Sequence, residues 1–472
     1  MSDNPKVPPT IPVKEHPEAT FPPPLPGAAT NGKPEFAVAD SIIAAEYEKL
    51  GDAEKWQVLV KAFQLNRRSL LRVPGVTAVD IGYKIEGGYF LNKLALRIHV
   101  ERKLPDNTKE TIFKDRPCDF FPKTKDQKSD YFRLRNYDVP TDVIEGDYRP
   151  AQLAEPPRPG TVLEKPRESE KVNRRRRLDP LVGGISIGSP QTPSGTLGAL
   201  VWDNTDGSVC ILSNWHVLAG DLSSEAGTPC FQPGRLDQGR SSDVVAHLKR
   251  WSFDRQTDAA IAQLTGSRHY CAGEILSLVQ QITGETPPYL GMRVQKYSRS
   301  TGFTWGFVDG LYFSSAIEYS NGIVQVFEDQ IHIAPVNPSD RISEPGDSGA
   351  VWVTETPTDG YKAVGLHFAG DLPHSAFGEY ALANPMSIVV ERLDFSFRPR
   401  YLEIRDEDVV VTAPPLMQPM QRELNGHGMN GHDMNGHGTN GHGVHPVGVL
   451  LARLAGSGGQ LDPIVIKPTG GG

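Results

Sequence analysis

Apolar positions along this chain follow different rhythms, and each rhythm predicts a different kind of element. Residues 1–35 have none: prolines recur, including Pro22, Pro23, Pro24 and Pro26, and large apolar side chains are few. That stretch is expected to be a disordered arm of polyproline character. A helical rhythm begins after Phe36. Asp40 stands where it would cap a helix carrying Ile42, Ile43, Tyr47 and Leu50, with Gly51 ending it. Trp56, Leu59, Val60 and Phe63 then fall on one face of a second helix.

The period drops to two at Val79, Ile81, Tyr83 and Ile85, and again at Leu94, Leu96, Ile98 and Val100, with Glu86-Gly87-Gly88 between them. These are two strands and their turn. Residues 36–150 are thus expected to form a small α+β domain, closing near the strand Tyr137–Glu145. His99 and Asp142 lie within it but form no catalytic constellation. A single histidine on the polar side of a strand is expected to be exposed.

Residues 151–180 read as a linker, with Pro156-Pro157, Pro159-Gly160 and the run Arg174-Arg175-Arg176-Arg177. The four arginines are expected to be a solvated hinge. From 181 to 400, short strands alternate with turn signals about every ten residues, the pattern of an all-β double barrel. An irregular stretch around Leu276–Ile282 separates the barrels, and the second opens near Gly291–Tyr297. Beyond 400 the core pattern stops. Residues 401–472 form a Gly/His-rich tail holding four Asn-Gly-His repeats with His427, His432, His437 and His442, then His445. Glycine at this density opposes packed structure, so a disordered tail with incidental metal affinity is expected rather than a metal site.

Composition narrows the function classes. The chain has 472 residues, 47 Gly, 40 Pro and a net charge of −8, which offers no electrostatic footprint for nucleic acid or an anionic membrane. No apolar run is long enough to span a bilayer, and the first residues lack the pattern of a secretory signal. Cys118, Cys210, Cys230 and Cys271 have neither zinc-site spacing nor the density of a disulfide scaffold. A soluble intracellular protein, cytoplasmic in location and needing no metal or cofactor, is expected. Whether it forms a homo-oligomer is left open.

The chemistry lies in three stretches. Ile342 to Trp352 places Ser348 in a Gly346-Asp347-Ser348-Gly349 turn ahead of an apolar run. Such a turn presents a hydroxyl beside backbone N–H groups suited to stabilising an oxyanion. Val209 to Gly220 runs an apolar strand into His216, and Asp258 opens an alternating strand at Ala259–Leu264. The order His, Asp, Ser is one of the chain orders in which a serine triad occurs.

Together these stretches resemble the His, Asp and Gly-Asp-Ser-Gly motifs of trypsin-like (chymotrypsin-fold) serine proteases. Ser213-Asn214-Trp215-His216-Val217-Leu218 is similar to the intracellular branch that includes bacterial and fungal peptidases and the plant Narrow Leaf family. The resemblance covers roughly 181–400. It implies a chymotrypsin-like double-barrel protease domain preceded by the small α+β domain. It also implies a serine endopeptidase with His216, Asp258 and Ser348 as triad and an acyl-enzyme intermediate. Gly346 and Ser348 would supply the oxyanion donors, and the partner is a protein or peptide substrate. Leu181-Val182-Gly183-Gly184 resembles the new terminus of activated trypsins, but Asp179-Pro180 separates it from the arginines and argues against activation there.

Trypsin carries an aspartate six residues before the serine; this chain has Ile342, so selectivity for basic residues is not expected. Ala363–Gly370 resembles the Gly-x-His-x-x-Gly strand of glutamyl endopeptidases. That implies a primary pocket of Ser343, His367 and Gly370 and cleavage after Glu or Gln. An imidazole and a hydroxyl left unpaired by other substrates give the physical reason for such a choice. A core histidine in a sheet is the competing reading of His367. The competing reading of the whole chain is an inactive protease-fold protein serving as a binding or scaffold module.

Overall fold

The computed structural model describes residues 38–86, 89–101, 131–134, 136–151, 173–337, 340–371 and 379–399. The proline-rich arm, Cys118, most of the expected linker and the histidine-bearing tail lie outside the described residues.

The described chain opens with α1 (Ala44–Tyr47) and α2 (Asp52–Leu70). The first helix is a single turn, shorter than expected. Ile42 precedes it in a β-bridge to Tyr137, and Gly51 caps α2 instead of ending α1. The Gly51 N–H donates to Glu54 Oε2 at 2.9 Å, which fixes the start of α2 locally. Leu59 and Phe63 are buried, and Trp56 and Val60 pack against the same apolar cluster, so the helical face is as the spacing predicts.

That face covers a hairpin of β1 (Val76–Glu86) and β2 (Tyr89–Val100). Val79, Ile81, Leu96 and Ile98 contribute to the shared core. β3 (Tyr131–Leu134) and β4 (Tyr137–Glu145) continue the sheet, β4 running parallel to β2. β5 (Tyr148–Pro150) then leaves for another part of the molecule.

The next strands are β6 (Leu181–Gly183), β7 (Ser186–Ile187), β8 (Gly195–Thr196), β9 (Ala199–Asp203) and β10 (Val209–Ser213). After the single-turn α3 (Trp215–Leu218) come β11 (Pro229–Phe231), β12 (Val244–Phe253), β13 (Asp258–Leu264) and β14 (Tyr270–Ile275). Antiparallel pairing orders the main sheet β11-β12-β13-β10-β9. Its interior holds Leu200, Ile211, Ala260 and Ala262.

The remainder is β15 (Ile282–Glu285), β16 (Arg293–Ser298), β17 (Gly302–Glu318), β18 (Val324–Pro335), β19 (Val351–Glu355), β20 (Tyr361–Asp371) and β21 (Ala381–Pro385). α4 (Met386–Leu393) and β22 (Phe395–Ser396) follow, and β22 pairs back onto β9. The order β16-β19-β20-β21-β18-β17 closes on itself because β16 also pairs with β17. This is a closed six-stranded barrel. Val294, Val308, Ile331, Ile333, Trp352 and Val364 fill one of its clusters. Another cluster joins the two barrels, with Val201, Leu212 and Ile261 from the first meeting Val351, Val353 and Leu366 from the second.

β17 does two jobs along its 17 residues. Its first half pairs with β16 inside the barrel, while Gly310 to Ser315 pair with β1, so the α+β hairpin extends the barrel's own sheet. This seam buries Arg97, which donates to Asp80 through Nε at 2.7 Å and to Asp309 through Nη1 at 2.7 Å. Asp309 also bonds His332 Nδ1 at 2.7 Å. The Tyr148 hydroxyl lies 3.0 Å from His332 Nε2 and 2.6 Å from His99 Nδ1. His99 Nε2 lies 3.2 Å from Asp80, which closes the circuit.

His99 is therefore buried, not exposed. The polar side of β2 is covered by Phe313 of β17, Tyr148 of β5 and His332 of β18. Removing these charges from water costs several kcal/mol per ion, which only mutual pairing and complete hydrogen bonding offset. Arg174 is likewise no solvated hinge residue. Its guanidinium donates to the carbonyls of Arg299 and Ser300 at 2.7 and 2.8 Å and lies over the Tyr297 ring.

Candidate active site

His216 stands on α3, the turn that follows β10, and Asp258 is the first residue of β13. β10 and β13 are paired neighbours, so two short departures from one ladder bring the side chains together. His216 Nδ1 lies 2.5 Å from Asp258 Oδ2. The other carboxylate oxygen accepts the His216 backbone N–H at 3.1 Å.

Asp258 is held from further sides. The Tyr319 hydroxyl donates to Oδ2 at 2.6 Å, the Asn214 amide donates to the Asp258 carbonyl at 2.6 Å, and the Asp258 N–H donates to Asn384 Oδ1 at 3.0 Å. A carboxylate already accepting these bonds takes the imidazole Nδ1 as donor, which leaves the lone pair on Nε2. That Nε2 is buried and has no hydrogen-bond partner among the described residues.

Ser348 comes from the second barrel, in the loop leading into β19. Gly346 and Gly349 have φ of +100° and +94°, conformations only glycine adopts readily. A Cβ on Gly349 would run into the Ser213 hydroxyl and the Thr196 carbonyl. The loop is pinned to the first barrel by the Thr196 N–H donating to Ser348 O at 2.8 Å, and to β20 by the Gly349 N–H donating to His367 O at 2.9 Å. The Ser348 hydroxyl donates to Phe368 O at 3.4 Å and makes no hydrogen bond to His216. The Gly346 N–H donates at 2.8 Å to the carbonyl of Ala151.

Asp347 faces away from this hydroxyl and braces the loop. It accepts from Lys296 Nζ at 3.1 Å, Ser298 Oγ at 2.7 Å, Thr301 Oγ1 at 2.7 Å and the backbone N–H groups of Ser300 and Thr301 at 3.0 Å. Burial alone would raise its carboxyl pKa, but the Lys296 charge and these donors hold it well below the usual carboxylate range.

The three residues singled out for the primary pocket lie together. His367 Nε2 is 3.1 Å from Ser343 Oγ, and Trp352 Nε1–H donates to His367 Nδ1 at 3.4 Å. A Cβ on Gly370 would strike Ser343, so glycine there makes room for the hydroxyl. Burial, aided by the Lys296 charge, lowers the His367 pKa to about 3, so this imidazole is neutral at pH 7. Tyr319, Asn384 and Lys296 escaped the motif reading. Asn214 alone had a signal, two positions before the histidine.

A first barrel built on the six-stranded sheet β11-β12-β13-β10-β9-β22, carrying His216 and Asp258, and a closed second barrel carrying Ser348 constitute the chymotrypsin-like serine-protease fold. Protein-family models and curated proteins return no match to the chain. Among solved structures it is similar to a Nocardiopsis protease at 14% identity, covering 46% of this chain and 97% of that one with a TM-score of 0.34. A Cellulomonas bogoriensis chymotrypsin matches at 17% identity over 46% and 98%, with a TM-score of 0.33. A glutamic-acid-specific serine protease described as using a histidine triad in substrate binding matches at 17% over 46% and 99%, with a TM-score of 0.34. Among the described residues no helix is long and apolar enough to cross a membrane.

Proposed function

We propose that the protein is a serine endopeptidase acting through His216, Asp258 and Ser348. One observation carries this reading: a buried imidazole tied through Nδ1 to a carboxylate, with its Nε2 unpartnered among the described residues. The reading requires the Ser348 side chain to turn from the Phe368 carbonyl toward that nitrogen, a tightening common on going from a free enzyme to its complex. His216 takes the hydroxyl proton as Ser348 Oγ attacks the substrate carbonyl carbon. The resulting oxyanion is met by the N–H groups of Gly346 and Ser348. Collapse expels the amine, which leaves with the proton from His216, and water repeats the sequence to release the acid. Asp258 fixes the tautomer and favours the transient imidazolium.

Selectivity for Glu or Gln follows from proton counting at the pocket. Trp352 Nε1–H is only a donor, so His367 Nδ1 accepts and Nε2–H donates to Ser343. The Ser343 proton is then free for an acceptor oxygen on the substrate side chain, and an apolar residue leaves it unsatisfied. The reading as a binding module is favoured by the Ser348 hydroxyl lying on Phe368 O instead of His216.

A fluorophosphonate probe separates the two. We expect stoichiometric labelling that disappears in Ser348→Ala, with peptide turnover falling by roughly 10⁴-fold or more. Absence of labelling in the folded wild type even on prolonged incubation with excess probe would leave the binding-module reading standing. Peptides differing only before the cut test the pocket, and equal turnover of Ala, Leu and Glu would remove the Glu/Gln assignment.

A further inference from the structure

If a peptidase works at Ser348, its substrate must place a carbonyl oxygen on the Gly346 N–H. A chain doing so beside Ser348 runs along β20, because Ser348 lies against Phe368 of that strand. Adding a strand to a sheet edge is a general way to hold an extended peptide. The described structure already has a peptide there. β5 pairs antiparallel with β20, Pro150 opposite Ala369, Arg149 opposite Gly370 and Tyr148 opposite Asp371. Ala151 continues the run: its N–H donates to Phe368 O at 2.9 Å and its carbonyl accepts from the Gly346 N–H at 2.8 Å.

We infer that Tyr148–Ala151 is a tethered occupant of the protease's own substrate cleft, held in the register of a substrate's acyl side, so that the intact chain inhibits itself. This rests on the peptidase reading for its consequence, though not for the contact itself. One N–H cannot serve two carbonyls in line at the same place, so an incoming peptide must first displace Ala151.

The occupant is built to stay. The Asp147 N–H donates to Asp371 Oδ1 at 2.9 Å, and Tyr148 is sunk into the buried circuit between His99 and His332. Ala151 itself is 4% exposed. It also makes a poor substrate. An alanine methyl offers no acceptor to Ser343, so the backbone register is met while the pocket's chemistry is not. Tethering raises the effective concentration of such a weak ligand into a range that free peptides rarely reach.

The test uses Ala151→Pro in the full chain, which removes the N–H that bonds Phe368, with Ala151→Gly as a control that keeps it. The displaced strand should expose the Gly346 amide, so its hydrogen exchange should quicken by about tenfold or more in Ala151→Pro and stay at the wild-type rate in Ala151→Gly. Fluorophosphonate labelling of Ser348 should accelerate by about the same factor, and KM for an added peptide should fall with kcat unchanged. Circular dichroism and the unfolding temperature establish that Ala151→Pro is folded. Equal Gly346 exchange in folded wild type and Ala151→Pro overturns the inference. If exchange quickens but neither protein reacts with the probe, the occupant stands and the peptidase reading falls.

Discussion

Lys296 shows how one buried residue sets the loop that carries Ser348. Its ammonium is fully buried, donates to Asp347, Ser298 and Thr301, and lies over the Trp352 ring. Lys296→Met removes the cation while leaving Asp347 buried and charged. Such a loss costs about 3–5 kcal/mol, and urea denaturation should register it. Adding Asp347→Asn should recover part of that loss, because the remaining donors then face a neutral group. An unchanged midpoint in Lys296→Met would show that the ion pair does not brace the loop.

The histidines give a pH prediction. Burial lowers His99 to a pKa of about 4, against the opposing pull of Asp80, and lowers His367 to about 3. In an unfolded chain both bind a proton near pH 6.5. Between these values the unfolded state carries more protons than the native one, so stability falls as pH falls. The slope reaches about 1.4 kcal/mol per pH unit for each histidine. The urea midpoint should drop steadily from pH 6.5 to 4, and His367→Gln should flatten part of that decline.

Among the elements, the β1–β17 ladder has the most exacting requirement. Gly82 and Gly310 face each other across it, and a Cβ on either would occupy the space of the Arg97 guanidinium. Gly310→Ala should therefore destabilise the fold by about 2–4 kcal/mol, through displacement of a buried charge from its partners. Thermal unfolding checks this, with Gly207→Ala, where no atom lies within 4 Å, as the contrast for a glycine at positive φ but in open space. No loss of stability in Gly310→Ala would show that the guanidinium yields to the added methyl.

The same ladder marks where sequence reading ran out. Alternation located β1 and β2 closely, since Val79, Ile81, Leu96 and Ile98 do bury one face. It misread the other face, because His99, Arg97 and Asp80 look solvated to any pattern that scores polarity alone. They are covered by β17, more than two hundred residues away, together with Tyr148 of β5 and His332 of β18. The candidate site was legible for the opposite reason. His216, Asp258, Ser348, Ser343 and His367 lie in short local motifs whose turns demand particular residues. Tyr319 and Asn384, which support Asp258, carry no local mark and enter through tertiary pairing.

For the molecule as a whole, the α+β region and the second barrel share one sheet and one buried polar circuit. Deleting residues 1–147 would uncover the β1-pairing half of β17 and leave Asp309 and His332 without Arg97 and His99. The shortened chain should be insoluble or molten, detectable by dye binding and loss of near-ultraviolet dichroism. A cooperative, well-folded fragment beginning after residue 147 would show that the second barrel stands without its extension.

The facing glycines also bear on inheritance. A recombinant taking residues 36–150 from one ancestor and the barrels from another keeps the guanidinium slot only if it receives a glycine at both 82 and 310. Lineages that exchange these halves should thus be rare, and where the slot closes on one side, Arg97 should vanish with it.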